Sequence, residues 1–208
     1  FKVNKFEFIT VLFLGKPTVA IGLKRDLNDD FQCPDAAIDI GIRLAKNSDH
    51  PYFSEESTNF GLVEKNIKSC YVATDKDGKP CFRIWLMEPS QNEKIKRFFN
   101  NNFPILEKNE ALLEGAYTLS SYRGKRIMSA AISRISERGI DFAARYILIF
   151  VDIKNSPSLK ACERAGLYPY AIRREKWFLF RKKARFMDMT PELLEKYNAI
   201  TSPKIKFQ

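Results

Sequence analysis

The sequence is poor in the residues that most often build catalytic triads and metal centres. It has one histidine, His50, and its four cysteines show no CxxC spacing and no neighbouring histidine cluster. Neither a zinc site nor a disulfide framework is expected, and a reducing, cytoplasmic compartment fits this cysteine usage best. A Ser-His-Asp triad could be built only around His50, which the pattern places in a loop, so serine-nucleophile chemistry is disfavoured.

Long apolar runs are also missing. The longest, residues 8–23, is interrupted by Gly15, Lys16 and Pro17. Each half is far shorter than the ~20 residues that a helix needs to cross a bilayer. Two strands joined by a turn explain the run better, and no membrane association is expected. The run also lacks the basic start and the small-residue cleavage site of a signal peptide, which again favours the cytoplasm.

Internal repeats, low-complexity segments and Gly/Ser linkers are absent from the 208 residues. Nothing therefore divides the chain, and its 45% hydrophobic content is ample for one core. We expect one domain over residues 1–186, with an N-terminal part (1–69) and a core (70–186), followed by a C-terminal tail (187–208).

Positive charge is in excess, with 35 basic and 25 acidic residues and a net charge of +10. Such a balance attracts phosphates, nucleic acids or anionic surfaces without choosing among them. The basic residues are spread along the chain and are densest at 173–185. A generic basic surface and a polyanion site are equally compatible with this distribution.

Hydrophobic patterning predicts a series of strands and helices. The runs 70–74 and 81–87 flank Asp75 and Gly78, which is typical of a β-hairpin. The other predicted elements of the flanking regions are a strand pair (6–14 and 18–23), a helical stretch (36–45), a polar helix (92–100) and a strand (177–186).

The middle of the chain predicts a strand, a helix and a second strand, at residues 111–119, 125–138 and 145–153. A short helix, 158–165, then ends at Gly166. Strand-helix-strand order implies a parallel pair with a right-handed crossover. The predicted fold class is α/β, with a mixed, mostly antiparallel sheet, a central parallel βαβ pair and helices on both faces.

The turn between the first of these strands and the helix has the character of a phosphate site. Gly124 lets the backbone approach a ligand, and the first turn of the helix offers N–H groups and a positive dipole end. Arg123, Lys125 and Arg126 add cations at the same place. A basic turn with one glycine is also common without any ligand, so the turn alone leaves both interpretations open.

The second strand is followed by Asn155, Ser158 and the segment Cys162-Glu163-Arg164-Ala165-Gly166-Leu167. Together with the Arg123-Gly124 turn, this resembles the GNAT superfamily of N-acetyltransferases, over roughly residues 70–186. In that family a strand leads into a Q/R-x-x-G-x-G/A turn and a helix, which bind the coenzyme A pyrophosphate. A second strand and a helix with N-x-x-[AS] and E-[KR]-x-G-[FL] segments follow. Arg126 and Met128 depart from the pattern, because they stand where it has small residues.

The resemblance implies acetyl-CoA as the co-substrate and no metal. It implies a set of residues that bind the coenzyme: Leu119, Tyr122, Arg123, Gly124, Lys125, Arg126, Ile127, Asn155 and Ser158. For Asn155 and Ser158, turn and N-cap roles before a helix are an equal alternative.

A general base is expected on the first strand of the parallel pair. Glu114 lies five residues before Leu119, or roughly 16 Å at strand rise, which is comparable with an extended pantetheine arm. A partly desolvated carboxylate could deprotonate an amine, directly or through water. A salt-bridge role is the alternative. Cys162 stands where many family members have a tyrosine acid, and Tyr117, Tyr168 and Tyr170 are the remaining candidates.

These observations predict an N-acetyltransferase that moves acetyl from acetyl-CoA to a primary amine by direct attack in a ternary complex. Residues 173–183 could hold an anionic small-molecule acceptor. The alternative is a noncatalytic module of the same fold that binds RNA or another polyanion. The sequence leaves a homodimer open.

Overall fold

The computed structural model of the chain describes residues 18–54, 62, 67, 69–178 and 181–202. Within this part, eight strands form a mixed sheet with the order β2-β3-β4-β5-β6-β1-β7-β8. The strands are β1 (Thr18–Asp26), β2 (Gly41–Leu44), β3 (Cys70–Thr74), β4 (Pro80–Met87), β5 (Glu110–Thr118), β6 (Tyr146–Asp152), β7 (Tyr168–Phe178) and β8 (Arg181–Asp188).

Four α-helices accompany the sheet in the described residues: α1 (Asn92–Phe98), α2 (Ile127–Ser136), α3 (Ser156–Arg164) and α4 (Pro191–Thr201). None of them is both long and apolar enough to span a membrane. Residues 187–208, assigned above to a tail, contain the end of β8 and α4. Tyr197 of α4 is buried in the same apolar cluster as α2 and α3.

Each face of the sheet carries its own apolar core. On one face, Ile132 of α2 and Leu159 of α3 are buried against Leu113 and Ile149 of the central strands. The opposite face buries Trp85, Leu112 and Leu148 together with Ile95 of α1. Helices therefore cover both faces, as the apolar stripe of α2 and the alternation of the strands require.

The central pair confirms the expected βαβ unit. Strands β5 and β6 are parallel, from Glu110 opposite Tyr146 to Leu113 opposite Ile149, and α2 lies between them in the chain. All other strand pairs among the eight described strands are antiparallel. The predicted fold class and the hairpin of β3 and β4 are thus confirmed.

Two predictions at the start of the chain are wrong. Strand 18–23 was expected to pair with 6–14, which lies outside the described residues, but both edges of β1 are occupied by β6 and β7. Residues 36–45 contain no helix. Residues 36–40 are irregular, and Gly41–Leu44 form β2, which pairs with β3. Ile38, Ile40 and Ile42 alternate with period two, which is a strand pattern that Ala36 and Ala37 obscured.

The prediction of a single strand at 177–186 is also wrong. Phe178 of β7 is opposite Arg181 of β8, so the run folds back on itself as a hairpin. Strand β7 begins as early as Tyr168, two residues after Gly166. The imperfect alternation of apolar and basic residues reflects this reversal, since a turn inside the run breaks the period.

Candidate acyl-coenzyme site

The two parallel strands separate towards their carboxyl ends. Their last paired residues are Leu113 and Ile149, whereas β5 continues to Thr118 and β6 to Asp152. Backbone groups beyond the last pair do not bond across to the neighbouring parallel strand. The result is an opening in the middle of the sheet, at the end where both strands lead into helices.

A β-bulge at Gly115 shapes one side of this opening. Trp85 of β4 is opposite Glu114 and Arg83 is opposite Tyr117, so β5 has one residue more than β4 between these pairs. Gly115 has a φ of +71°, and a Cβ there would lie 2.8 Å from Cε3 of Trp85. The extra residue reverses the alternation of side chains along β5. Glu114 is in register with Trp85 on one face of the sheet, whereas Ala116, two residues later, packs on the α2 face.

The turn from β5 into α2 combines two residues with positive φ. A 3-10 turn at Ser120–Tyr122 is followed by Gly124, with φ +80°, and by Arg126, with φ +57°. Arg126 is the N-cap of α2, and its side chain forms no capping hydrogen bond. The first amides of α2 therefore point out of the helix without a side-chain cap, where the helix dipole is positive.

A cleft of about 590 Å³ lies between this turn and the start of α3. Four cationic side chains contribute to it: Arg123, Arg126, Lys160 and Arg164. None of the described residues around the cleft is acidic. The cleft thus combines helix amides, arginines and a lysine, which is the donor set that binds phosphate groups.

Seven of the nine residues assigned to the coenzyme line this cleft: Tyr122, Arg123, Gly124, Arg126, Ile127, Asn155 and Ser158. Leu119 does not. It is 9% exposed and packs with Phe53 and Val72 in a small apolar cluster. Leu119 therefore anchors the start of the turn in this apolar cluster and does not face the cleft.

Lys125 also lies outside the cleft. Its Nζ is 4.9 Å from the ring centroid of Tyr122, on the side of a neighbouring cavity formed with the β3–β4 turn. The Tyr122 hydroxyl donates a hydrogen bond of 2.5 Å to Asp75 Oδ2. This bond raises the pKa of Tyr122 to about 12 and lowers the pKa of Asp75. Tyr122 thus ties the turn to the β3–β4 hairpin.

Asn155 performs the structural role that was the alternative for it. Its Oδ1 accepts a hydrogen bond from the Ser158 N–H at 3.3 Å, so Asn155 is the N-cap of α3. Both residues nevertheless line the cleft. Capping and ligand contact are compatible here, because the cap holds the start of α3 against the opening.

Sequence reasoning missed Lys160 and Arg164 as cleft residues. They are four residues apart on α3, and the cleft also includes Pro157 and Ala161 of the same helix. The i, i+3, i+4 spacing from Pro157 was the available signal, since it places these residues on one helical face. Met128 lines the cleft as well, and its Sδ lies 4.0 Å from Ser158 Oγ, so it spans the space between α2 and α3.

Glu114 does not line the cleft itself. It is partly buried and lies on the face of the sheet opposite α2, in register with Trp85. On that face Leu112 and Leu148 are paired, so the next residues along the two strands are Glu114 and Phe150. These two positions follow the last paired residues of β5 and β6 on the face of the sheet opposite α2.

Among the residues considered for a general acid, only Tyr117 lines the cleft. Its ring centroid is 5.6 Å from the Arg123 guanidinium carbon. Cys162 is fully buried, and burial raises the pKa of its thiol to about 12, which fits a packing role. Tyr168 is paired with Lys24 near the opposite end of the sheet.

The described residues contain no group of three or more His, Cys, Asp or Glu side chains that could hold a metal ion. The charged and polar groups at the site are the cations of the cleft, the amides of α2 and the carboxylate of Glu114. This set suits an anionic ligand in the cleft and a proton acceptor beyond it.

Solved structures of acetyltransferases share this fold. The chain aligns with a GNAT-family acetyltransferase from Colwellia psychrerythraea over 83% of its length, with a TM-score of 0.54 and 14% identity. It also aligns with the glucosamine N-acetyltransferase region of a fungal multi-domain GH3 β-N-acetylglucosaminidase (77%, TM-score 0.58, 13% identity). A GCN5-related N-acetyltransferase from Kribbella flavida aligns over 92%, with a TM-score of 0.50 and 10% identity.

The chain spans 60% of the Colwellia protein, 21% of the fungal protein and 66% of the Kribbella protein. No protein-family model matches the chain, and no curated protein matches it by sequence. At identities this low, the likeness establishes the fold. The chain has a GNAT fold, as the two sequence segments indicated.

Proposed function

We propose that this chain is an N-acetyltransferase that moves an acetyl group from acetyl-CoA to a primary amine. The observation that carries the proposal is the opening between β5 and β6, with a cationic cleft on one side and Glu114 on the other. An acyl donor with a phosphate-rich end and a long neutral arm matches this arrangement. Acetyl-CoA supplies the thioester, whose thiolate is a good leaving group.

The residues present fit the diphosphate of the coenzyme. The uncapped amides at the start of α2 and the guanidinium of Arg123 converge on the cleft. Arg126 has a left-handed conformation, with a φ of +57°, which a glycine adopts readily. The side chain of Arg126 lines the cleft, where the extra cation would add positive charge beside the phosphates.

Glu114 is proposed as the general base. An amine acceptor is protonated at neutral pH and must lose a proton before it can attack. The half-buried carboxylate on the strand edge of the opening can take this proton, directly or through a water molecule. The proposed attack is direct, without a covalent acyl-enzyme. Cys162 is fully buried in the packing of α3 and is not placed to act as a nucleophile.

The role of the cleft predicts a specific loss of coenzyme binding in Arg123→Ala. We expect acetyl-CoA to raise the melting temperature of the unaltered protein, since a ligand stabilises the state that it binds. Arg123→Ala should weaken acetyl-CoA binding by about tenfold, which is typical of one lost charge-assisted contact. Isothermal titration calorimetry measures both affinities.

Arg97→Ala is the matched control, because Arg97 is an exposed arginine of α1 on the other face of the sheet. It changes the net charge equally and should leave the affinity within about twofold. Equal weakening in the two variants would show that the attraction is one of overall charge and would contradict the cleft.

The role of Glu114 predicts a split between turnover and binding. Glu114→Gln keeps the size of the side chain but removes the base, so kcat should fall by about 10²- to 10⁴-fold while acetyl-CoA affinity stays the same. Thiol release with a panel of amines measures turnover and also identifies the acceptor. Unchanged kcat in the variant would remove Glu114 from the mechanism.

The noncatalytic alternative is favoured by one observation, the bulk of Met128 and Arg126 at positions where the family pattern has small residues. It predicts no thermal shift with acetyl-CoA and a steeply salt-dependent complex with RNA. That pair of results would replace the enzyme with a polyanion-binding module of the same fold.

A further inference from the structure

A second cationic cavity lies on the β7–β8 hairpin, two strands beyond the opening. It has a volume of about 420 Å³, and we refer to it as the hairpin cavity. Its lining residues are Arg174, Lys176, Lys183, Ala184, Arg185 and Met187. Four of these six carry positive charge, and none carries negative charge.

The strand register places these charges against one another. Arg174 is directly opposite Arg185, and Lys176 is directly opposite Lys183. Like charges opposite each other on one face of an antiparallel pair destabilise it. An anion held between the two arginines would reverse this effect.

The neighbouring acidic residue of β7 faces away from the hairpin cavity. Glu175 accepts a hydrogen bond from the Thr18 hydroxyl at 2.9 Å and forms an ion pair with Arg173 at 3.1 Å. Strand alternation puts this pair on the opposite face of the sheet. Arg174 Nε is buried and has no hydrogen-bond partner among the described residues.

The volume of the hairpin cavity favours a small anionic ligand over a nucleic acid strand. Its volume lies within the range of small-ligand pockets, whereas a nucleic acid strand is bound along an extended groove. Arginine pairs grip phosphate oxygens in bidentate fashion, and Met187 offers an apolar wall to a neutral part of the ligand. We infer that the hairpin cavity binds a small molecule with two or more phosphate groups, such as a nucleoside diphosphate.

This inference does not rest on the proposed acyl transfer. Thr18 pairs with Glu175 and Ala20 pairs with Asp152, so the tip of the β7–β8 hairpin lies at the same end of the strands as the C-terminus of β6. A diphosphate bound there would lie beside the acyl-coenzyme cleft and would occupy different residues.

The test is a titration with ADP and with inorganic pyrophosphate at constant ionic strength. In the double variant Arg174→Gln/Arg185→Gln, we expect the affinity for both probes to fall by about tenfold or more. The control is Lys96→Gln/Arg97→Gln, which removes the same charge from exposed positions of α1 and should change the affinity by less than about twofold. Thermal melts verify that both double variants are folded.

The same titrations are repeated with Arg123→Ala, because ADP carries the diphosphate found in coenzyme A and can also enter the acyl-coenzyme cleft. The part of ADP binding that Arg174→Gln/Arg185→Gln removes should persist in Arg123→Ala. Loss of ADP binding in Arg123→Ala with retention in the hairpin variant would place the anion in the cleft and overturn the inference, without harm to the proposed acyl transfer. Equal losses in the two double variants would also overturn it. Tighter binding of a single-stranded RNA oligonucleotide, weakened equally by both double variants, would assign the charge to a polymer surface instead.

Discussion

Arg126 adopts a backbone conformation that glycine adopts more easily. Its φ of +57° is left-handed, and such a conformation costs a residue with a Cβ about 1 kcal/mol. We therefore expect Arg126→Gly to raise the free energy of unfolding by up to about 1 kcal/mol and, through loss of a cation in the cleft, to weaken acetyl-CoA binding several-fold. Urea denaturation and calorimetry measure the two effects.

Arg126→Lys separates strain from charge. Lysine keeps the cation and the strained backbone, so stability should not increase and acetyl-CoA binding should remain near that of the unaltered protein. If Arg126→Gly gave no gain in stability, the turn would not be strained at this residue. Opposite changes in stability and affinity would mean that the arginine is retained for its charge.

Single residues also show why part of the cleft was predictable. Arg123 and Gly124 form a local signal, a cation beside a glycine before an amphipathic helix, and both line the cleft. Lys160 and Arg164 carry no such signal. A basic residue on a helix is expected to face solvent unless the position of the helix in the fold is known. Lys125 shows the reverse case, since it belongs to the same turn but lies on the side of Tyr122 away from the cleft.

At the scale of the element, the bulge in β5 is held by a glycine that no side chain can replace. Gly115→Ala would force a left-handed residue and bring a Cβ within 2.8 Å of buried Trp85. We expect a loss of at least about 2 kcal/mol in the free energy of unfolding, from strain and overpacking together. Chemical denaturation measures this loss.

Gly78→Ala is the matched control for this prediction. Gly78 has a similar φ of +78°, but a Cβ there would meet nothing within 4 Å. This variant should lose only the backbone part, about 1 kcal/mol. Equal losses at the two glycines would show that Trp85 does not close the space above the bulge.

Elements were predictable where the local code is strong. The β3–β4 hairpin follows from its Asp-Gly turn, and α2 follows from its apolar stripe. The helix ends at Ser136 and not, as expected, just before Gly139, which lies in the 3-10 turn that follows. The β7–β8 hairpin was misread because residues 177–186 have no Gly, Asn or Asp to mark a reversal. The bulge at Gly115 was also missed, since a glycine in a strand pattern does not reveal which neighbour excludes a side chain.

At the scale of the whole molecule, ion pairs between neighbouring segments make a pH-dependent contribution to stability. Arg43 binds Asp49 through two hydrogen bonds of 2.6 and 2.8 Å, and Arg145 binds Asp26. The arginines hold the pKa of Asp49 and of Asp26 below the ordinary value of 3.8. A lowered carboxyl pKa contributes stability above pH 3.8 that is lost as the pH falls towards the folded-state value.

We therefore expect the urea midpoint to be level near neutral pH and to fall below about pH 4. Asp49→Asn should cost about 1–2 kcal/mol at pH 7, because Arg43 loses a charged partner at a nearly buried site, and should flatten the acid slope. Asp29→Asn, at an exposed position after β1, should change neither quantity. A slope that Asp49→Asn leaves unchanged would contradict this account.

The sequence by itself determined the fold class, the βαβ unit and the basic turn at Arg123 and Gly124. Each of these features depends on hydrophobic periodicity and turn residues within short contiguous segments. It also carried the two separated segments that resemble the GNAT pattern.

Tertiary structure alone decided what lies across the opening and beside it. The insertion of β1 between β6 and β7, the placement of Glu114 opposite the cleft and the pairing of Arg174 with Arg185 depend on strand register. Register joins residues that are far apart in the chain, and it is set by the packing of two cores at once. No local pattern contains that information.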